Sequence, residues 1–424
     1  MHVRNNYEAL NFDFAPTLAG WLETHGKAAY RAMKRGDSLS AEHHGGHGNA
    51  IAQPYSHSIL PLLPSRDREL QIAWGIEDFV YRFGRKPAGM WLPECAADDD
   101  TLASVAAAGL KFVILAADQA RWHGAEAESR SAGPFLWRGG DLNLAVFRSD
   151  RELSGTISFG EGLVDGARLA EWIAATALSF EPGAALVIAT DGETFGHHNK
   201  HGAAELARAL ILLERRDDVV LTNCAEYLAH HPARGSFEIP IATSWSCPHG
   251  VERWRSDCGC RLDTNTSQEW REPFRLAMEF VKNHAEAIYD RFAPAIVKEH
   301  HAALLDGIRV LIDGNPAVHD EFFNRFKVLN ESNRETLLRM FEMIRAGQAS
   351  LTSCAWFFDD FGGHEGRVVL RWAARAVELA AEHSASIESE LLERLREINS
   401  SGRENGNAAT LYLSLKTREA RGRV

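Results

Sequence analysis

The chain has 424 residues, 45% of them apolar and 25% charged, which excludes a disordered, collagen-like or disulfide-scaffold protein. Lys and Arg number 46 against 58 Asp and Glu, and this net charge of −12 argues against nucleic-acid or anionic-membrane partners. No apolar run reaches the ~20 residues of a membrane span, and the first residues lack the apolar core of a signal peptide, so the expectation is a soluble, cytoplasmic protein of two or three domains.

The first half alternates short apolar or β-branched runs with helical periodicity, the pattern of βα units in an α/β barrel or open sheet. Strands are predicted at 9–14, 89–92, 111–116, 144–147, 185–190 and 219–222. Helices with apolar residues three and four apart are predicted at 66–82, 99–108, 166–178 and 203–215. Beyond Pro240 a loop rich in Cys, Trp, Gly and Arg leads into helices at 270–289, 294–312, 320–346, 367–383 and 386–398, with no strand between them. The expected organisation is a barrel over 1–240, a Cys/His/Trp loop over 241–266, an α-helical domain over 267–400 and a weakly ordered Ser/Gly/Asn-rich and basic tail over 401–424.

Five segments could carry chemistry. In Gly89-Met90-Trp91-Leu92-Pro93-Glu94-Cys95 a strand ends in proline and delivers a carboxylate to what would be the active edge of a barrel; a helix cap or an arginine partner is the plain alternative for Glu94. Thr190-Asp191-Gly192-Glu193-Thr194-Phe195-Gly196-His197-His198 is a second strand end, which sets Asp191 beside Glu193, His197 and His198. Two carboxylates from different strand ends are the minimum equipment for glycoside hydrolysis, although Asp, Glu and His together also suit a divalent ion. The stretch from Ser40 to Pro61, with His47, Gln53 and His57, could line a polar pocket or simply lie at the surface. Cys247, His249, Cys258 and Cys260 are enough donors for a structural zinc; reduced thiols lining a loop and a redox pair are the other readings, and the one-residue gaps are unusual for zinc. Finally, Thr352 to Gly363 could offer the rings of Trp356 and Phe357 and the carboxylates of Asp359 and Asp360 to a sugar, or could be a helix-packing cluster with a Gly-Gly turn.

Taken in order, these segments resemble glycoside hydrolase family 57, which covers retaining α-glucan enzymes such as α-amylase, 4-α-glucanotransferase, amylopullulanase and branching enzyme. Trp91-Leu92-Pro93-Glu94-Cys95 is similar to its nucleophile motif, and Asp191-Gly192-Glu193-Thr194-Phe195-Gly196-His197 to its acid/base motif. Gln53 to Pro61 is similar to its second motif, and Trp356 to Gly363 resembles its last. The phrases Gly46-His47-Gly48-Asn49-Ala50-Ile51-Ala52-Gln53, Trp245-Ser246-Cys247-Pro248-His249-Gly250 and Cys258-Gly259-Cys260 resemble a family-57-like subgroup in which the barrel is followed by a domain of unknown function.

The resemblance implies an α/β fold, a (β/α)7-type barrel followed by an α-helical domain. The family's first strand carries a His-Gln-Pro-like motif, and nothing before Asn5 matches it, so the expectation is a barrel lacking that strand, in an N-terminally truncated chain. The resemblance further implies Glu94 as nucleophile and Asp191 as acid/base, with an α-glucan or oligosaccharide as partner and no cofactor. His57, Trp91, Glu193, His197, Trp245, Trp356, Asp359 and Asp360 are the candidates for binding the sugar. Water or a second glucan as acceptor stays open. Two rival readings remain: a metal-dependent carbohydrate hydrolase of deacetylase or mannosidase type, and a non-catalytic glucan-binding protein.

Overall fold

The computed structural model describes residues 5–124, 131–160, 162–400 and 406–422. The chain divides into two compact units, one made of Met1–Gln53 and Arg82–Ser246, the other of Pro54–Tyr81 and Cys247–Val424.

The first unit opens with helices α1 (Pro16–His25) and α2 (Lys27–His43), neither of which the periodicity singles out. The parallel series follows as β1 (Gly89–Met90), α4 (Asp99–Ala107), β2 (Phe112–Ala116) and, after β3 (Arg121–His123) and β4 (Phe135–Gly139), β5 (Leu142–Ser149). Here α3 denotes Ser65–Phe83, most of which belongs to the second unit. Strand β1 runs parallel to β2, and β2 parallel to β5, with Met90 opposite Val113 and Ile114 opposite Phe147. Single parallel bridges from Phe12 to Ala50 and from Ala52 to Met90 continue the series on the other side of β1. Gly89 is needed for this approach, because a Cβ there would lie 2.4 Å from the Phe112 ring.

Beyond β5 come α5 (Arg151–Phe159), α6 (Gly166–Leu178), α7 (Gly202–Glu214), α8 (Cys224–His230) and β6 (Gly235–Glu238), and the sheet order is β1-β2-β5-β4-β6-β3. Side-chain caps from Asp98, Asp150, Asp165 and Asn223 start α4, α5, α6 and α8. The predicted strands at 185–190 and 219–222 form no ladder. The first receives scattered bonds instead, Ala132 N to Ala185 O at 2.9 Å and Asp150 N to Val187 O at 2.7 Å. The second packs Val219 and Leu221 beside a buried cluster of Ile157, Leu163, Leu169, Ala174, Ala209 and Leu213. Beneath the parallel strands lies another buried cluster of Ile51, Phe112, Ile114, Ala145, Phe147, Cys224 and Ala225.

The second unit is helical: α9 (Arg271–Phe292), α10 (His300–Ile312), α11 (Pro316–Arg325), α12 (Glu331–Ala349), α13 (Cys354–Phe357), α14 (His364–Ala380), α15 (Ile387–Arg396) and α16 (Ala408–Gly422). The helix expected over 320–346 is two, because Lys327 adopts a φ of 57° and Asn330 caps a new start by accepting from Ser332 N. The segment expected to be a weak tail carries α16, whose Leu411, Tyr412 and Leu415 are buried. An apolar repeat at that spacing outweighs the polar flank before it; residues 401–405 of that expectation lie outside the described residues. Trp74 of α3 donates to Leu304 O at 2.9 Å, and Lys282 forms a buried ion pair with Asp67. No helix among the described residues is long and apolar enough to cross a membrane.

Candidate active site

Glu94 sits on the turn that follows β1. A short 3-10 turn, Pro93–Cys95, sets Glu94 at φ 57° and Cys95 at φ 49°, and left-handed backbone at two consecutive non-glycine residues costs about 1–3 kcal/mol each. Neighbouring segments hold the strain in place. Gln119, itself buried, accepts from Ala116 N at the end of β2 and donates to Cys95 O at 2.6 Å. Trp245 N donates to Glu94 O at 3.0 Å, and Ala97 and Thr243 form an antiparallel bridge. The side chain is fixed as firmly, because Glu94 Oε2 accepts from Trp245 Nε1 at 3.1 Å and from Ser246 Oγ at 2.6 Å. The Trp91 and Trp245 rings meet edge to face at 5.1 Å beside it.

Asp191 follows the extended run at 185–190, which Asp150 N and Ser154 Oγ tie to the end of β5 and the start of α5. A second 3-10 turn, Gly192–Thr194, begins directly after it, and its carbonyl accepts from Thr194 N. Burial, then the charges of Glu94, Asp191 and Asp13, push the Cys95 thiol well above its ordinary value of 9.0, so Asp191 and Asp13 lie within electrostatic reach of the residue next to Glu94. Asp13 follows the Phe12 bridge much as Glu94 follows β1, and this shared placement after a strand-like segment is the signal by which sequence reasoning could have found it. A cleft of about 460 Å³ opens at the ends of β2 and β5, lined by Ala117, Arg148, Ser149, Asp150, Arg151 and Glu152. The C-terminal ends of strands are where α/β barrels gather their reacting groups.

The other predicted residues divide sharply. Trp91 and Trp245 lie beside Glu94, whereas Glu193 and His197 are exposed, with Glu193 O accepting the backbone N–H groups of His197 and His198. In the second unit His57 adopts a φ of 53° and bonds Ser353 Oγ through Nδ1 at 2.7 Å. Trp356 is fully buried and donates its Nε1 to Arg271 O at 3.0 Å, so its ring is a packing element and presents no face to a sugar. Asp359 accepts from Leu262 N and Asp263 N, and Asp360 from Gly362 N and Ser400 Oγ; both carboxylates serve the local chain. These aromatic and acidic residues look the same in sequence whether they pack or bind. Cys247, His249, Cys258 and Cys260 do come together, with one potential ligand atom of each within 4.8 Å of all the others.

The architecture is thus a βα barrel with carboxylates at the ends of its parallel strands, accompanied by a helical unit. Residues 44–240 match the family described as Glycosyl hydrolase family 57, and residues 267–420 a Domain of unknown function (DUF3536). The barrel segment thus carries the match to glycoside hydrolase family 57, and the fold is a (β/α)7-type barrel followed by a helical region.

Among relatives, an α-amylase of Dictyoglomus thermophilum is 27% identical over 154 residues, 36% of this chain and 21% of that protein. A 4-α-glucanotransferase of Thermococcus litoralis is 24% identical over 250 residues, 56% of this chain and 36% of that one. These matches span about a fifth to a third of the relatives' own lengths. The solved structure of an exo-type maltose-forming amylase from Pyrococcus sp. ST04 covers 97% of this chain and 78% of its own, with a TM-score of 0.71 at 15% identity. That likeness concerns the fold.

Proposed function

We propose that this protein acts on α-glucans by double displacement, with Glu94 as nucleophile and Asp191 as acid/base. The observation that carries the reading is the Glu94 carboxylate, clamped at one oxygen by Trp245 and Ser246 on a strained turn, with the charge of Asp191 felt at the adjoining Cys95. The α-amylase and glucanotransferase names of the relatives supply the substrate class.

Both clamping bonds go to Oε2, so Oε1 is the oxygen that attacks the anomeric carbon. As that C–O bond forms, the glycosidic C–O bond breaks and the leaving oxygen takes its proton from the Asp191 carboxyl group. Asp191, now a carboxylate, removes a proton from water or from an acceptor hydroxyl. The oxygen so activated displaces Glu94 from the anomeric carbon, and two inversions give net retention. A fixed nucleophile spends no ordering entropy on reaching its attack position, which is what the turn and the clamp provide.

The test is product analysis with amylose and maltooligosaccharides for the wild-type chain beside Glu94→Gln and Asp191→Asn. The expected result is glucans shortened, lengthened or branched with retained α configuration, lost in both variants. Turnover that survives Glu94→Gln, or products of inverted configuration, rejects the reading.

A further inference from the structure

We propose that Cys247, His249, Cys258 and Cys260 bind one zinc ion and form a structural Cys3His site in the second unit. A tetrahedral zinc with Zn–S of about 2.3 Å and Zn–N of about 2.0–2.1 Å sets its sulfurs about 3.8 Å apart and sulfur from nitrogen about 3.6 Å apart. Cys247 Sγ lies 3.9 Å from Cys258 Sγ and 3.8 Å from Cys260 Sγ, and Cys260 Sγ lies 3.5 Å from His249 Nδ1. These three separations match those of a zinc tetrahedron, and all four donors lie within 4.8 Å of one another. All six cysteines of the chain are free thiols, so no disulfide competes for these sulfurs.

The backbone shows how the unusual spacing closes. Cys247-Pro248-His249-Gly250 is a turn in which Gly250 N bonds Cys247 O at 3.1 Å and Gly250 takes a φ of 79°. Gly259, at φ 82°, bends the chain between Cys258 and Cys260 so that both sulfurs reach the same point, a conformation that favours glycine. The backbone N–H groups of His249 and Arg253 donate to the Cys247 sulfur, the kind of outer-shell bond that steadies a metal-bound thiolate.

Charge makes an independent argument. Three thiolates, a neutral imidazole and Zn2+ sum to −1. Arg271 is 0% exposed, yet its guanidinium lies 3.9 Å from Cys258 Sγ and donates to Cys260 O at 3.0 Å. A buried cation needs a buried counter-charge. A zinc-thiolate centre supplies that negative charge. Cys247, Val251 and Trp254 are buried behind it while His249 is exposed, so an ion enters from the His249 side and leaves no position open for a substrate. Four protein ligands and thiolate-rich donors mark a structural zinc.

Elemental analysis of the full chain, purified without chelators or immobilised metal, is expected to find one zinc per chain. Cys247→Ser and Cys260→Ser should lose it, while Cys354→Ser, at an exposed cysteine outside the cluster, should keep it. Should the cysteine variants fold poorly, cobalt reconstitution of the wild-type chain decides. A tetrahedral thiolate site gives intense visible d–d bands and a thiolate-to-cobalt charge-transfer band, and His249→Ala should weaken and shift them. Iron in place of zinc, a disulfide within the cluster, or a metal-free chain without cobalt bands overturns the proposal.

Discussion

The two carboxylates at the candidate site are held in opposite ways. Glu94 is half-buried on a left-handed turn, with its backbone tied through Gln119 and Trp245 and its carboxylate clamped by two donors. Asp191 is exposed, on a loop whose internal bonds join backbone to backbone and whose following residues, Gly192 and Glu193, are exposed too. The difference suits the proposed roles. A nucleophile forms a bond at one fixed point and gains from being immobile, whereas an acid/base meets a leaving oxygen and then an incoming one, and gains from access.

Substitution tests that contrast directly. Glu94→Gln keeps the clamp's geometry and removes the attacking charge, so kcat should fall by about 10⁴–10⁶, measured as reducing ends or transfer products from maltooligosaccharides. Asp191→Asn should cost less, about 10²–10⁴, and the loss should shrink for substrates with a good leaving group, which needs no protonation. Equal losses on every substrate would erase the distinction between the stations. Next come Ser246→Ala and Trp245→Phe, each of which removes one hydrogen bond to Oε2. Either should lower kcat/KM by about 10–100-fold through the attack step alone, leaving thermal unfolding nearly unchanged. A loss of stability that accounts for the loss of activity would make the clamp a packing device.

Much of this contrast is legible in the sequence, and the gaps have physical causes. An apolar run broken by Pro93 announces a strand end and its carboxylate without coordinates, whereas the run broken by Asp191-Gly192 reads the same way and turns out extended without a ladder. The partners of Glu94 are another matter. Trp245 was named and Ser246 was not, although it is the next residue, because a hydroxyl's target depends on tertiary placement roughly 150 residues away. Asp13 falls inside the strand expected over 9–14, which the structure reduces to the single Phe12 bridge, and a lone carboxylate within a strand carries no motif that marks it. Trp356 failed in the other direction: an aromatic beside acids is read as a sugar platform until burial shows it closing a helical core with Phe274 and Phe361. The one-residue gap of Cys258-Gly259-Cys260 is unusual for zinc by count alone, and the positive φ of Gly259, invisible in that count, brings the two sulfurs to 3.9 and 3.8 Å from that of Cys247.

The smallest expected effect uses the buried Cys95 beside Glu94 as a sensor. Its folded-state pKa is raised above its unfolded value, so the native state holds the thiol proton more tightly than the unfolded chain does. That stability is fully present below the unfolded value of about 9 and is lost as pH rises toward the folded value, at up to about 1.4 kcal/mol per pH unit. Cys95→Ala lacks the proton and therefore the slope, whatever its absolute stability. Unfolding in denaturant at pH 8.0, 9.0 and 10.0 should show the wild-type chain losing stability relative to Cys95→Ala across the upper half of that range, after all shared titrations cancel. Parallel curves would mean that water reaches the thiol and screens it from Glu94, Asp191 and Asp13.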